Sequence, residues 1–508
     1  MAYYKLKAYD ADVWITAFAG LKQNEDISSD LRYAMEAENV ETVRGVLQPM
    51  ADPTILDYSF TKKIETLARF HRRWYTGSGS KDWLVVASDG KLYYKQSLEE
   101  NSFTQLPFPS QVNSWTNNVW SYVTYEINPA GSSAPVDVLL MSNADDGMII
   151  ITPPYTATVS NPNWKVEKVD TKGKKFGVIE RYAERIWGGA IPDDPDMLMY
   201  SRPYDPTNWN AAGSEEEPED GAGDISQPSW DGDSFTGLKA FGSQLLAFKK
   251  NRVWRILGTD PGEYTFKEQY GGGAPYLNTV AIDTERIFMA EKDGLSVYDG
   301  LSVAPFNRPF IEQVWKKVSK GYMDQACAVL FKNRYYLSVP IDSTKNNALI
   351  VYNVEEGTFL LYTDIYIESL LTTEDKLYAT SSTEPGKILV INYNSWDTGY
   401  SSGRPTKWAT SWIDFGHKSY AKGGYEIYFS PEVKGGPVTF RFTIETEKKK
   451  KSKNVSIQTT TFKAKQKKIR FGGTSRRFRL IVETLNQPTH VVWRLIGGIQ
   501  MVVETDPD

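Results

Sequence analysis

Between residues 235 and 300, short apolar runs alternate with tight polar punctuation, and this alternation leaves few folds open. Residues 238–241 form one run, stopped by Gly242-Ser243. Residues 244–249 form the next, stopped by Lys250-Asn251, and 252–257 a third, stopped by Gly258. Tyr264 and Phe266 mark a fourth. The cycle then restarts at 279–282, 286–290 and 295–298. Runs of this length between Gly, Asn and Asp turns predict antiparallel hairpins. Sets of four such strands, repeated along a chain, are the pattern of propeller blades.

The same cycle recurs over most of the chain. Sets begin near Ile64, Tyr122, Val178, Leu238, Val280, Cys327 and Leu370. Their spacing of roughly 42 to 60 residues suits one four-stranded blade with its loops. The expected fold is all-β: a β-propeller of about seven blades, six to eight, followed by a C-terminal β-sandwich. Turns recur with the blades, at Asp89-Gly90, Asp146-Gly147, Asp293-Gly294 and Asp299-Gly300. They read as hairpin chemistry, because Gly accepts a positive φ.

The domain reading follows from where the period starts and stops. Residues 1–62 are less regular and are expected to pack on the propeller or close it. Within them, 25–39 has a helical look with Ser28, Ser29 or Asp30 as N-cap, and Arg44-Gly45 reads as a turn between two extended pieces. Residues 63–398 hold the propeller. One helix is predicted inside it near 309–320, because Ile311, Val314, Trp315 and Val318 share a face and Pro309 suits a first turn. Residues 399–405 are a Gly/Ser/Pro linker. Beyond it, 406–508 holds longer strands with short turns, read as the sandwich.

The chain has 508 residues, 41% of them hydrophobic, enough for a large core. Aromatic residues reach 13%, in keeping with strands, whose pleated surface packs large rings well. The net charge of −5 argues against a protein that clings to nucleic acid with its whole surface. No run approaches the ~18 apolar residues of a membrane span, and the N-terminus lacks a signal-peptide core, so cytoplasmic synthesis without stable membrane insertion is expected. The single cysteine, Cys327, sits in an apolar run and reads as a small buried hydrophobe.

Catalytic constellations are sparse. His71, His417 and His490 are scattered and match no zinc spacing. The loop at 77–80 looks phosphate-binding but lies between two strands, with no helix behind it. No cofactor, metal or catalytic residue is expected, although Asp231-Gly232-Asp233 offers oxygens of the kind calcium takes. Two acidic loops stand out: Asp193, Asp194 and Asp196, then Glu215, Glu216, Glu217, Glu219 and Asp220. They are expected as solvated loops that, facing a channel, would repel DNA phosphates. A glycosidase would instead need paired carboxylates on a shaped floor. The basic run Lys448, Lys449, Lys450, Lys451 and Lys453 reads as a solvated hairpin tip, or as a contact to DNA or to an acidic neighbour subunit. Arg470, Arg476, Arg477 and Arg479 would extend it if the fold brings them together.

The segment 20–25, leading on to Asn39-Val40 and Gly45-Val46-Leu47, resembles the N-terminal signature of bacteriophage tail β-propeller proteins, although Glu38 stands where they carry an apolar residue. Residues 253–261, 292–300, 476–480 and 493–500 are similar to further segments of the same proteins. This resemblance implies a non-enzymatic virion protein of the tail nozzle, tubular or stabilisation type. It implies a ring, usually a hexamer, joined to a tail adaptor or tube protein. DNA would pass through its lumen without sequence specificity, and fibres or receptor-binding proteins would sit outside. A carbohydrate- or receptor-binding propeller is the alternative, with Trp115, Trp164, Trp209 and Trp230 stacking on sugars if loops expose them.

Overall fold

The computed structural model describes residues 9–23, 30–73, 81–95, 102–129, 135–155, 163–226, 232–269, 272–307, 310–416, 421–459, 466–485 and 487–506. The loop at 77–80, Ser28, Ser29, Trp230, Asp231, Pro309 and His417 lie outside them.

Seven sets of four antiparallel strands follow one another around a ring, among the described residues. Blade one spans 64–105, blade two 121–168, blade three 178–226 and blade four 235–269. Blade five spans 281–305, blade six 327–363 and blade seven 367–391. The propeller expected from the sequence is therefore present, and its blades begin within three residues of the predicted starts. Blade seven has only three strands of its own. Its fourth is Thr54–Ser59, which pairs with Lys387–Ile391 and so ties the start of the chain to the end of the ring.

Alternation builds the ring's core. In Val136–Asn143 of blade two every residue is buried. Val138 and Leu140 join the cluster shared with blade three, while Leu139 and Met141 join the one shared with blade one. Successive side chains point to opposite faces of a strand, so a blade between two blades must be apolar on both. Each adjacent pair shares such a cluster, and Ile64, Leu67, Leu371 and Tyr378 close the circle between blades seven and one.

The C-terminal strands form two sheets, as a sandwich requires. One sheet holds Val438–Thr446, Lys450–Ile457, Phe478–Thr484 and Thr406–Ala409; the other holds Ala421–Lys434, Lys467–Ser475 and Val492–Asp506. Phe429 meets Phe442 at 4.4 Å between ring centroids, and Trp493 meets Phe440 at 5.1 Å. The N-terminal segment is divided between the two domains. Tyr9–Ile15 pairs along Val492–Asp506, and the hairpin Val40–Val43 with Val46–Pro49 joins the same sheet. The hairpin's turn is the predicted Arg44-Gly45, with φ of 51° and 77°. Glu36–Glu38 is a strand, so the helical look of 25–39 fails there: its neighbours on both sides offer open ladder edges.

That three-residue strand welds the domains. It pairs parallel with blade six at Leu361 and antiparallel with Thr406–Ala409 of the sandwich. One nine-stranded sheet thus runs from blade six through Glu36–Glu38 into the sandwich. Asn39 reinforces the joint: its amide donates to Thr363 Oγ1 and to the Pro405 carbonyl, both at 3.0 Å, and its Oδ1 accepts from the Thr363 amide at 2.8 Å. Glu36 pairs with both Lys407 and Arg479. The 399–405 stretch is anchored too. Ser401 is fully buried, and its hydroxyl donates to the Val491 carbonyl at 2.9 Å. The predicted helix is shorter, Glu312–Lys316, with a 3-10 turn at Lys320–Gln325; Ile311, Val314, Trp315 and Val318 are buried as its spacing required.

Candidate functional site

The two acidic loops of blade three lie at opposite ends of the blade. Asp193, Asp194 and Asp196 connect its second and third strands, whereas Glu215 to Asp220 connect its third and fourth. In an antiparallel meander those connections fall on opposite faces. Asp194 pairs with Lys174, and Asp196 pairs at 2.7 Å with Lys249, whose side chain is fully buried in blade four and lies 4.6 Å from the Phe235 ring. Asp193 is exposed. Asp196 therefore holds two blades together, and the three aspartates are not presented as one acidic surface.

The second loop is exposed throughout. Glu216 accepts both guanidinium nitrogens of Arg202, at 2.9 and 2.7 Å, and the Gly213 amide at 2.6 Å. The Arg202 bond, helped by that amide, lowers its carboxyl to about 2. Beneath the loop lies Arg185, which is 1% exposed. It donates to the carbonyls of Ser201 and Gly221 at 2.8 and 2.7 Å, and to that of Glu219. A buried guanidinium needs donors filled, and here backbone carbonyls take both terminal nitrogens. The side chains of Glu215, Glu217, Glu219 and Asp220 stay outward, on a loop fastened from below.

The lysine run is not a hairpin tip. Lys448 and Lys449 sit in the turn, but Lys450–Ile457 is a strand at the edge of the nine-stranded sheet. Its register sets Lys451 opposite Ile444 and Lys453 opposite Phe442. Both lysines therefore share the core-facing side of the sheet with those buried residues. Lys467–Ser475 is the edge of the other sheet, and the two edges stack: Lys451 Nζ donates to the Gly472 carbonyl at 2.6 Å, and Lys453 lies 5.7 Å from the Phe471 ring. Inward-pointing lysines on an edge block further strand pairing. The structure also brings Arg470 and Arg477 to this flank, where they pair with Glu426 and Glu447. Arg479 turns instead to Glu36 at the weld.

The aromatic and histidine candidates are largely absorbed by packing. Trp115 and Trp209 are each 4% exposed, and Trp164 packs at a tilt against Tyr94, 4.4 Å between centroids. His71 contacts Asp82 at 2.7 Å, and the same carboxylate oxygen accepts from Arg69 Nε at 2.9 Å. His490 is exposed. Asp233 accepts the amides of Lys250 and Asn251 at 3.0 and 2.9 Å, capping a blade-four turn. Burial pushes the Cys327 thiol far up, in keeping with a small hydrophobe. Among the described residues, no group of three or more His, Cys, Asp or Glu is placed to hold a metal.

Sequence reasoning missed the buried charge at the weld. Glu41 is 1% exposed. Its Oε2 accepts the Asn394 amide at 2.8 Å and Gln48 Nε2 at 3.3 Å, and its Oε1 faces the Tyr362 hydroxyl at 3.4 Å. Burial pushes its carboxyl up, against the pull of Arg334. A lone Glu in a short hairpin gives no local signal of this, because two of its partners, Tyr362 and Asn394, lie 321 and 353 residues away.

No family model matches the chain. No curated protein matches it either. Solved structures do. The WD40 domain of Neurospora crassa Pan2 is 9% identical over 66% of this chain and 90% of that one, with a TM-score of 0.37. The extracellular domain of a putative one-component system from B. thetaiotaomicron is 10% identical over 89% of this chain and 62% of that one, with a TM-score of 0.42. An exo-β-1,3-galactanase from Phanerochaete chrysosporium is 8% identical over 89% of this chain and all of that one, with a TM-score of 0.28. These likenesses carry no argument about function.

Proposed function

We propose that this chain is a structural subunit of a bacteriophage tail, a rigid block that assembles with copies of itself into a ring, with six copies as the working number. In this reading the ring joins an adaptor or tube protein, DNA passes through its lumen, and fibres or receptor-binding proteins sit on its outside. It works in the virion tail and acts without catalysis.

The observation that carries the reading is the weld. A propeller that only displays a binding loop needs no such joint. Here a nine-stranded sheet, the Asn39 bonds and the Glu36 ion pairs fix the sandwich against blade six. A part that bears load between neighbours gains from a joint without a hinge, because hinges sit where few contacts cross. The basic flank at Lys448 and Lys449 and the exposed acidic loop at Glu215 to Asp220 supply opposite charges for a heterologous, ring-closing contact.

The test is immunogold labelling of intact particles with antibody against this chain. Label at the tail tip is expected; label elsewhere, or none, overturns the reading. Light scattering on the purified chain then asks for a ring-sized species, one that Lys448→Glu with Lys449→Glu disperses.

A further inference from the structure

Where the weld meets the propeller, a cavity of about 330 Å³ opens on the same face as the exposed acidic loop. Three stretches distant in sequence form it: the hairpin turn at Arg44, the two turns of blade six, and Tyr393 just past blade seven. Its volume falls at the lower end of the ~300–1,000 Å³ of small-molecule sites.

The walls are chemically divided. Arg44, Lys332 and Arg334 supply cations. Lys332 Nζ donates to the Tyr393 hydroxyl at 3.0 Å, and Lys332 and Arg334 lie 5.2 and 5.7 Å from its ring. Glu355 and Glu356, both exposed, line the other turn of blade six. The floor is fixed: Tyr336 is 3% exposed, and behind it Glu41 is held by Gln48, Asn394 and Tyr362. The turns are tight: Arg44, Lys332 and Asn333 have φ of 51°, 48° and 58°, as two-residue hairpin turns require.

This division selects a ligand class. A multiply charged anion meets repulsion from Glu355 and Glu356. A neutral sugar brings no counter-charge to the cationic wall. A polyol with a single carboxylate satisfies both walls: the carboxylate takes the cations through charge-assisted bonds, and its hydroxyls donate to the two glutamates. We propose that the seam cavity binds an acidic sugar of the uronate type. The cavity lies within a single chain, so this site stands apart from ring assembly.

The test is calorimetric titration of the full chain with glucuronate and galacturonate, with glucose and inorganic phosphate as controls. One uronate is expected to bind with a dissociation constant in the millimolar range and glucose about tenfold more weakly or less. Lys332→Ala is expected to weaken uronate binding about tenfold, and Glu355→Gln with Glu356→Gln several-fold, both with unchanged melting temperatures because the three residues are exposed. Failure of both uronates to bind overturns the proposal. So does glucose binding as tightly as uronate, phosphate binding in preference to it, or a Lys332→Ala variant that binds as before.

Discussion

The ring and the weld use the same strands in opposite ways. Blades one to six are each one contiguous run of chain, and blade seven adds only Thr54–Ser59 to such a run. The weld draws on residues 9–23 and 30–49, blade six and the described sandwich strands at once, in a core that also takes in blade five. Apart from the closure between blades seven and one, ring contacts are therefore short in sequence, and weld contacts long. A structure summed from neighbouring repeats tends to yield locally. A joint that closes loops of several hundred residues yields all at once or not at all.

Matched deletions of a buried tryptophan would break this contrast most directly. Trp187 lies in the core of blades three and four, 5.0 Å from Tyr200 and 5.1 Å from Tyr264. Trp408 lies in the weld, edge-on to Phe18 at 5.0 Å. Both are fully buried, so Trp187→Ala and Trp408→Ala should each cost about 3–5 kcal/mol. Hydrogen exchange should separate them. Trp187→Ala should lose protection in blades three and four, and Trp408→Ala in the N-terminal strands, blade six and the sandwich together. The same restricted pattern from both would remove the distinction.

The contrast also explains what could be read in advance. Blade starts were legible because a blade buried on both faces leaves a local apolar run, as in 136–143, and a local turn, as at Asp89-Gly90. The strand that completes blade seven was not: Thr54–Ser59 carries no mark of a partner some 330 residues on. Glu36–Glu38 was read as helix for the same reason, since three residues have no period. Among the candidate charges, sequence shows that Asp196 and Lys451 are ionisable. It does not show that one is spent on Lys249 across a blade seam and the other guards a sheet edge.

An interblade seam should prove intermediate in cost. Asp196→Ala takes the Asp196 carboxylate away from the buried Lys249 ammonium. The expected loss is about 2 kcal/mol, below that of a fully buried pair because the Asp196 side chain is 30% exposed. Chemical denaturation measures it, and a loss as large as that of the tryptophan variants would place seam and core on one footing. The weld's buried carboxyl sets a pH dependence of known sign. Burial raises Glu41 above the ordinary 4.5, so its contribution to stability is complete below that value and declines as pH rises through the raised one. Glu41→Gln should remove the decline and stabilise the protein at pH 8 by on the order of 1 kcal/mol, with little change at pH 4. A wild-type profile unaltered by the substitution would mean that the carboxyl titrates normally.

The smallest effect on stability belongs to the flank where both sandwich sheets end. Lys451 and Lys453 are exposed, and among the described residues they meet a carbonyl and a ring face of the facing strand. Lys451→Val with Lys453→Val should therefore change unfolding free energy by no more than about 0.5 kcal/mol. It should still change behaviour in solution. Valines at those positions extend the apolar inner face defined by Ile444 and Phe442 to the open edge, which then offers its unpaired backbone groups to another strand. Light scattering should show large aggregates at concentrations where the parent chain stays disperse. Lys448→Val with Lys449→Val, placed in the turn instead of the strand, should not. Equal aggregation from both pairs would assign the protection to net charge; aggregation from the strand pair alone assigns it to the two inward positions.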